Sequence, residues 1–173
     1  MKTSDLVVDI GVGLLADFVA TKVTERGQTA LWKVTPEHIQ RQENCVRPGP
    51  PLRVAAEKTT ELLGFELDED STRVAGMALH YASGVGWGQV NCVMRRAAGM
   101  NSLGAGVAAG ASMSLLLDEI VTPALGFSAP NRTYPAATHI RGLLGHLVYG
   151  LALAGTAEAV YRLIEPRTAR RNN

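Results

Sequence analysis

Val74-Ala-Gly76-Met-Ala-Leu-His80-Tyr-Ala-Ser-Gly84-Val-Gly-Trp-Gly88-Gln-Val-Asn91-Cys-Val-Met94 contains no Asp, Glu, Lys or Arg. An uncharged run of this length meets the roughly 18–20 residues of a membrane span. Within it Gly76, His80, Gly84 and Gly88 recur at four-residue steps. Such positions share one slanted ridge of a helix, because each step of four turns only about 40° past a full turn. The spacing returns in Gly142, His146, Gly150 and Ala154. A histidine set among small residues, twice over, predicts duplicated helices that pack closely around an ionisable group.

Working outward, three more segments read as spans. Residues 142–161 are interrupted only by His146 and Glu158, and residues 102–122 are apolar and rich in Gly and Ala. Residues 6–23 are the weakest of the set, since Asp9 and Asp17 lie inside. Those two acids and the lack of a small-x-small site also argue against a cleaved secretory signal. Mean hydropathy is nearly neutral because polar and apolar residues are segregated along the chain. The chain of 173 residues suits a single integral membrane domain over 1–173. The fold class expected is all-α: a four-helix transmembrane bundle from a duplicated helical hairpin. A soluble helical bundle is the competing reading, disfavoured because Gly costs a water-exposed helix about 1 kcal/mol relative to Ala.

Lys2, the Arg95-Arg96 turn and the tail with Arg162, Arg167, Arg170 and Arg171 lie on one side of such a bundle. The positive-inside rule then places both termini in the cytoplasm of a multi-pass protein. Residues 24–72 form a long polar loop on the other side. Its Arg47-Pro-Gly-Pro-Pro51 run is a helix breaker. Leu52 to Leu63 reads as a short amphipathic helix on the membrane surface or capping the bundle. Asp68 to Thr72 supplies either capping residues for the next helix or a solvated turn. The Asn131-Arg-Thr133 triplet matches a glycosylation acceptor, a short pattern that often arises by chance.

A shift of 66 residues aligns Gly76, His80, Gly84 and Arg96 with Gly142, His146, Gly150 and Arg162. Less closely, Leu6 to Arg26 aligns with Gly99 to Glu119, matching Glu25 to Asp118. Together these suggest two hairpins in the same orientation.

The small-residue stripes supply helix packing through Gly76, Gly84, Gly88, Gly106, Gly110, Gly142 and Gly150. At a rise of about 1.5 Å per residue, Asp17, His80 and His146 share one depth, with Asp118 near the same end. These four make a candidate proton or cation site, since imidazole titrates near neutrality and a neighbouring carboxylate orients it. Asp9, Asn91 and Glu158 continue as an inner polar path, with Arg95 in reach of a carboxylate. Two His plus Asp would suit zinc or a related divalent ion, yet no tight ligand motif such as His-x-x-x-His occurs, so a metal is left open. The plainer reading is that both histidines bond across helix interfaces and fix the bundle. Cys45 and Cys92 lie too far apart in the topology for a disulfide. Gly11-Val-Gly13 is an incomplete dinucleotide fragment without a preceding strand.

The Gly-rich first span, the Pro-Pro loop, the small-residue third span and the closing run from His146 to Tyr161 resemble the YagU-like family of small bacterial inner-membrane proteins. The resemblance implies a location in the bacterial inner membrane. It implies no established activity and transfers no catalytic residue.

Two functional readings follow. One is a small transporter or channel-like element using intramembrane His and Asp. The alternative is a noncatalytic scaffold or accessory subunit that contacts a partner through its long loop. Enzymatic activity is disfavoured, because no nucleophile stands beside a recognisable base and orienter. No cofactor is indicated. The expected partners are the lipid bilayer and either a second copy or another membrane protein, not nucleic acid.

Overall fold

A computed structural model describes residues 3–164, and it is all-α. The elements in order are α1 (Thr3–Val34), α2 (Glu37–Val46), α3 (Pro51–Leu62), α4 (Glu69–Ala97), α5 (Ser102–Met113), a π-helical stretch (Ser114–Val121), α6 (Thr122–Ala124), a short 3-10 turn (Asn131–Thr133) and α7 (Ala136–Ile164).

The first helix does not stop at Val23 as expected but continues to Val34. The expected polar loop begins with residues that sustain a helix: Thr24 and Thr29 bond back to the carbonyls of Ala20 and Glu25, and Lys22 pairs with Glu25 at 2.9 Å. The remainder of that loop is also more ordered than expected. It contains α2, which the sequence reading missed, as well as α3, expected at Leu52 to Leu63 and found one residue earlier. Pro50 and Pro51 open α3, where a missing N–H costs nothing. Its Val54, Ala55 and Ala56 are buried and it packs on α4, with Arg53 backbone against Gly76. Asp68 proves to be a helix cap, accepting from Ser71 N–H at 2.7 Å. That bond holds its carboxyl below the usual range.

α7 packs along both α1 and α5, while α4 lies against α1. Asp9 meets Arg96 while Asp17 meets Gly84, so α1 and α4 run antiparallel. Asp17 also meets Tyr149 and Asp9 meets Tyr161, so α1 and α7 are antiparallel too. Backbones touch where glycines face one another. A Cβ at Gly150 would strike the Gly106 carbonyl, and one at Gly110 would strike that of His146. On the other hairpin, a Cβ at Gly88 would sit 2.8 Å from Gly13 O. Between α4 and α5 the turn closes through Gly99 in the left-handed region at φ 62°, which glycine adopts without steric cost.

The interior is built mostly of small and polar side chains, with Val12, Tyr149 and Leu153 among them, and many large apolar side chains face outward. Ala16, Ala20, Ala105 and Ala109 are fully buried, together with Asp9, Asp17, Thr21, Asn91 and Ser114. Leu14, Leu15 and Phe18 on α1, Val74, Met77 and Val93 on α4, Leu115, Leu116 and Ile120 on the π-helical stretch, and Ile140, Leu144 and Leu151 on α7 are exposed. Among the described residues, two helical stretches, Ser102–Ala124 and Ala136–Ile164, are long and apolar enough to cross a membrane. Residues 74–94 fall short of that apolarity although they carry no charge. Absence of charge is not the same as hydrophobicity in a run so rich in Gly with His, Tyr, Ser, Gln and Asn.

Candidate functional site

Each histidine of the repeated signature faces a carboxylate. His146 Nε2 lies 2.9 Å from Asp118 Oδ2, between α7 and the π-helical stretch. His80 Nε2 lies 3.7 Å from Glu25 Oε1, between α4 and α1. The first is a hydrogen bond and the second a looser charge contact on a half-exposed side chain.

The π-helical stretch shapes the Asp118 end. Thr122 N–H reaches back to Leu117 O in a widened turn, and the following Pro123 has no N–H to give. Glu119 O thus loses its ordinary α-helical donor. Asn131 replaces it, donating Nδ2 to Glu119 O at 2.8 Å and to Oε2 at 2.9 Å. This commits the amide of the Asn131-Arg-Thr133 triplet to the fold. The four-residue step from Ser114 to Asp118 therefore no longer follows the face of the preceding α-helix across these wide turns.

Asp17 is 2% exposed and stands apart from the histidines. Tyr149 donates its hydroxyl to Asp17 Oδ1 at 2.8 Å and contacts Gly84 O at 3.1 Å. His80, His146 and Tyr149 line one cavity of about 300 Å³ with Thr21, Glu25 and Gln28. Asp118 is absent from that cavity's wall. It lines a neighbouring polar cavity of about 230 Å³, which His146 and Gln28 also border. Of the four expected residues only His146 and Asp118 pair with one another; His80 pairs with Glu25 and Asp17 with Tyr149, so they do not form one ligand shell.

In the neutral His146 ring, donating Nε2–H to Asp118 leaves the Nδ1 lone pair free. Nδ1 is buried and has no partner. It is an acceptor available to a proton.

The polar cavity contains a further pair that the sequence reading missed. His139 Nδ1 lies 2.7 Å from Glu119 Oε1 and its Nε2 lies 3.1 Å from Asn131 O. A backbone carbonyl can only accept, so Nε2 carries a proton. The spacing held a signal for this pair: His139 is two turns before His146 on the same helix face.

Glu43 was also missed. It is fully buried under the mouth of the polar cavity, where Arg141 Nη2 donates at 2.5 Å, Thr138 at 2.7 Å and Arg47 pairs at 2.6 Å. Burial pushes its carboxyl up, but those hydrogen bonds and the two guanidinium charges outweigh this and leave it below the ordinary value. Arg141 also stacks 4.9 Å from the Trp32 ring.

At the opposite end Asp9 takes a forked bond from Arg96, with Nη2 at 2.7 Å, and accepts from Tyr161 at 2.6 Å. Glu158 accepts from Arg95 and Arg162, each at 2.9 Å. Asn91, 1% exposed, has neither side-chain polar atom bonded. The expected inner residues are thus two ion-paired carboxylates and one buried amide, not a continuous hydrogen-bonded path.

Of the expected packing glycines, Gly84, Gly88, Gly106, Gly110 and Gly150 lie at interfaces among the long helices. Gly76 faces α3, and Gly142 makes only ordinary contact with Asp118. Among the described residues no three His, Cys, Asp or Glu side chains cluster as a metal would need. No protein-family model, curated protein or solved structure matches the chain.

Proposed function

We propose that the chain is a small multi-pass protein of the bacterial inner membrane, both termini cytoplasmic, that binds and passes protons through its paired histidines. Its four long helical segments span the bilayer as a bundle of two related hairpins. The observation that carries the proton reading is the cavity shared by His80 and His146, each histidine beside a carboxylate of the other helix in its own hairpin.

The membrane reading is supported by the exposed Leu, Val, Ile and Phe of the long helices and by an interior of Ala, Gly and polar groups. In water that arrangement leaves too much apolar surface unburied, whereas in lipid it solvates both faces. Duplication is supported by the pairing itself. Glu25 and Asp118, matched by the alignment of Leu6–Arg26 with Gly99–Glu119, stand beside His80 and His146, matched by the separate 66-residue shift. The proposal takes its bacterial location from the YagU-like resemblance.

A proton arriving in the polar cavity meets His139–Glu119 and then His146–Asp118. The free Nδ1 of His146 accepts, and Tyr149, which bonds to Asp17, lines the cavity shared with His80. A proton suits these groups better than a metal, because the acids and imidazoles are distributed in pairs. The scaffold reading has less to stand on: α2 and α3 turn back onto the chain's own helices through Glu43 and through Val54, Ala55 and Ala56.

Proteoliposomes loaded with a pH-sensitive dye test the proposal. An imposed potential should drive proton flux in the unaltered protein, and His80→Gln with His146→Gln should abolish it while the helical content is retained. Equal flux in the double variant, or none in the unaltered protein, would overturn it.

A further inference from the structure

The end of the molecule opposite the histidines holds a cavity of about 310 Å³ lined by Cys92, Arg95, Arg96, Met100, Glu158, Tyr161 and Arg162. Three guanidinium groups meet there, and their bonding is unequal. Arg96 is satisfied by the forked bond to Asp9. Arg95 and Arg162 share the one carboxylate of Glu158, and each gives it a single N–H, from Nη2 and Nε respectively. Among the described residues, two cations on one anion leave a local charge of +1. Arg95 Nη1 is moreover buried without a partner among the described residues. A second anion in the cavity would balance that charge and accept from guanidinium N–H groups that Glu158 leaves unused.

We infer that this cavity is a phosphate-binding site in which Arg95 and Arg162 clamp a phosphate monoanion. Planar guanidinium forks match phosphate oxygens in two-point contacts, which a lysine ammonium cannot do. Arg95 stacks 5.0 Å from the Tyr161 ring, which fixes the guanidinium plane at the cavity wall. Met100 offers an apolar side at the turn between α4 and α5. The phosphate chemistry does not depend on proton transport. Its source is either the headgroup of an anionic phospholipid, which requires the membrane reading, or free phosphate.

Calorimetric titration of the full chain in a neutral detergent tests the site with short-chain phosphatidylglycerol, short-chain phosphatidylcholine and inorganic phosphate as probes. Phosphatidylglycerol should bind at least ten-fold more tightly than phosphatidylcholine. Arg95→Gln and Arg162→Gln should each weaken it at least ten-fold, and Arg53→Gln at the far end should leave it unchanged. Inorganic phosphate binding as tightly as the lipid assigns the site to the free ion and upholds the clamp. Binding of neither anion, or equal binding by the Gln variants, would overturn it. If a Gln variant loses its helical content, guanidinium ¹⁵N resonances of the unaltered protein decide instead. Addition of phosphatidylglycerol or phosphate should shift Arg95 and Arg162, and unmoved resonances would refute the clamp.

Discussion

Asp118 and His146 face one another at 2.9 Å, and the histidine's other nitrogen is buried with no partner. His80 and Glu25 repeat the relationship at 3.7 Å on a more open surface. The two pairs are related in residue type and position but not in strength.

That inequality makes a prediction about flux. Asp118→Asn keeps an oxygen for His146 Nε2–H while removing the carboxylate that can take up a proton, so proton flux should fall about ten-fold or more, as when a positioned proton-transfer partner is lost. Glu25→Gln should cost less, because its contact is longer and solvent-screened. Dye-reported flux in proteoliposomes checks the order. A larger loss in Glu25→Gln would reverse the assignment of the dominant pair.

Tyr149→Phe removes the hydroxyl that Asp17 Oδ1 accepts at 2.8 Å and leaves a buried carboxylate short of a donor. We expect about 1–3 kcal/mol of destabilisation, the scale for an unsatisfied buried polar group. Thermal unfolding in detergent measures it. Combined with Asp17→Ala the losses should be less than additive, since both changes remove the same bond.

Glycines give a contrast within one helix. Gly150→Ala drives a methyl into the Gly106 carbonyl, whereas Gly155→Ala meets nothing within 4 Å. The first should destabilise by about 1–3 kcal/mol through overpacking. The second should be neutral or raise stability by up to about 1 kcal/mol through helix propensity. Equal melting shifts for the two variants would remove the argument for backbone contact between α5 and α7.

The sequence carried the helix interfaces better than the site. Four-residue steps of Gly around His80 and His146 are a direct consequence of helical geometry, and they lie where the backbones approach. Pairing of those histidines with Glu25 and Asp118 was also foreshadowed, since the internal repeat matches the two acids. What it did not carry depends on distant segments. Nothing local to Glu43 distinguishes it from the other acids of the long loop, because its role comes from Arg141 on α7, 98 positions later. The widened turn at Asp118 likewise depends on Pro123 together with Asn131, whose amide reaches back across the intervening loop. Charge-free residues 74–94 illustrate a third cause: a run judged by missing charge overstates its apolarity when Gly and polar aromatics fill it.

Glu43 supplies a prediction about pH. Its folded carboxyl lies below the ordinary value of 4.5, so in the interval beneath 4.5 the unfolded chain binds more protons than the folded one. Its contribution to stability is therefore complete above that value and is lost as pH falls through the lower folded value. Unfolding followed between pH 7 and pH 3 should show a falling melting temperature in the unaltered protein and a shallower fall in Glu43→Gln. At pH 7 Glu43→Ala should cost about 3–5 kcal/mol, because Arg141 would remain largely buried without its anion. The double variant Glu43→Ala with Arg141→Met should recover much of that loss, since an apolar pair avoids stranding a charge. Failure to recover would mean that the bonds of Glu43 to Arg47 and Thr138 outweigh its pair with Arg141.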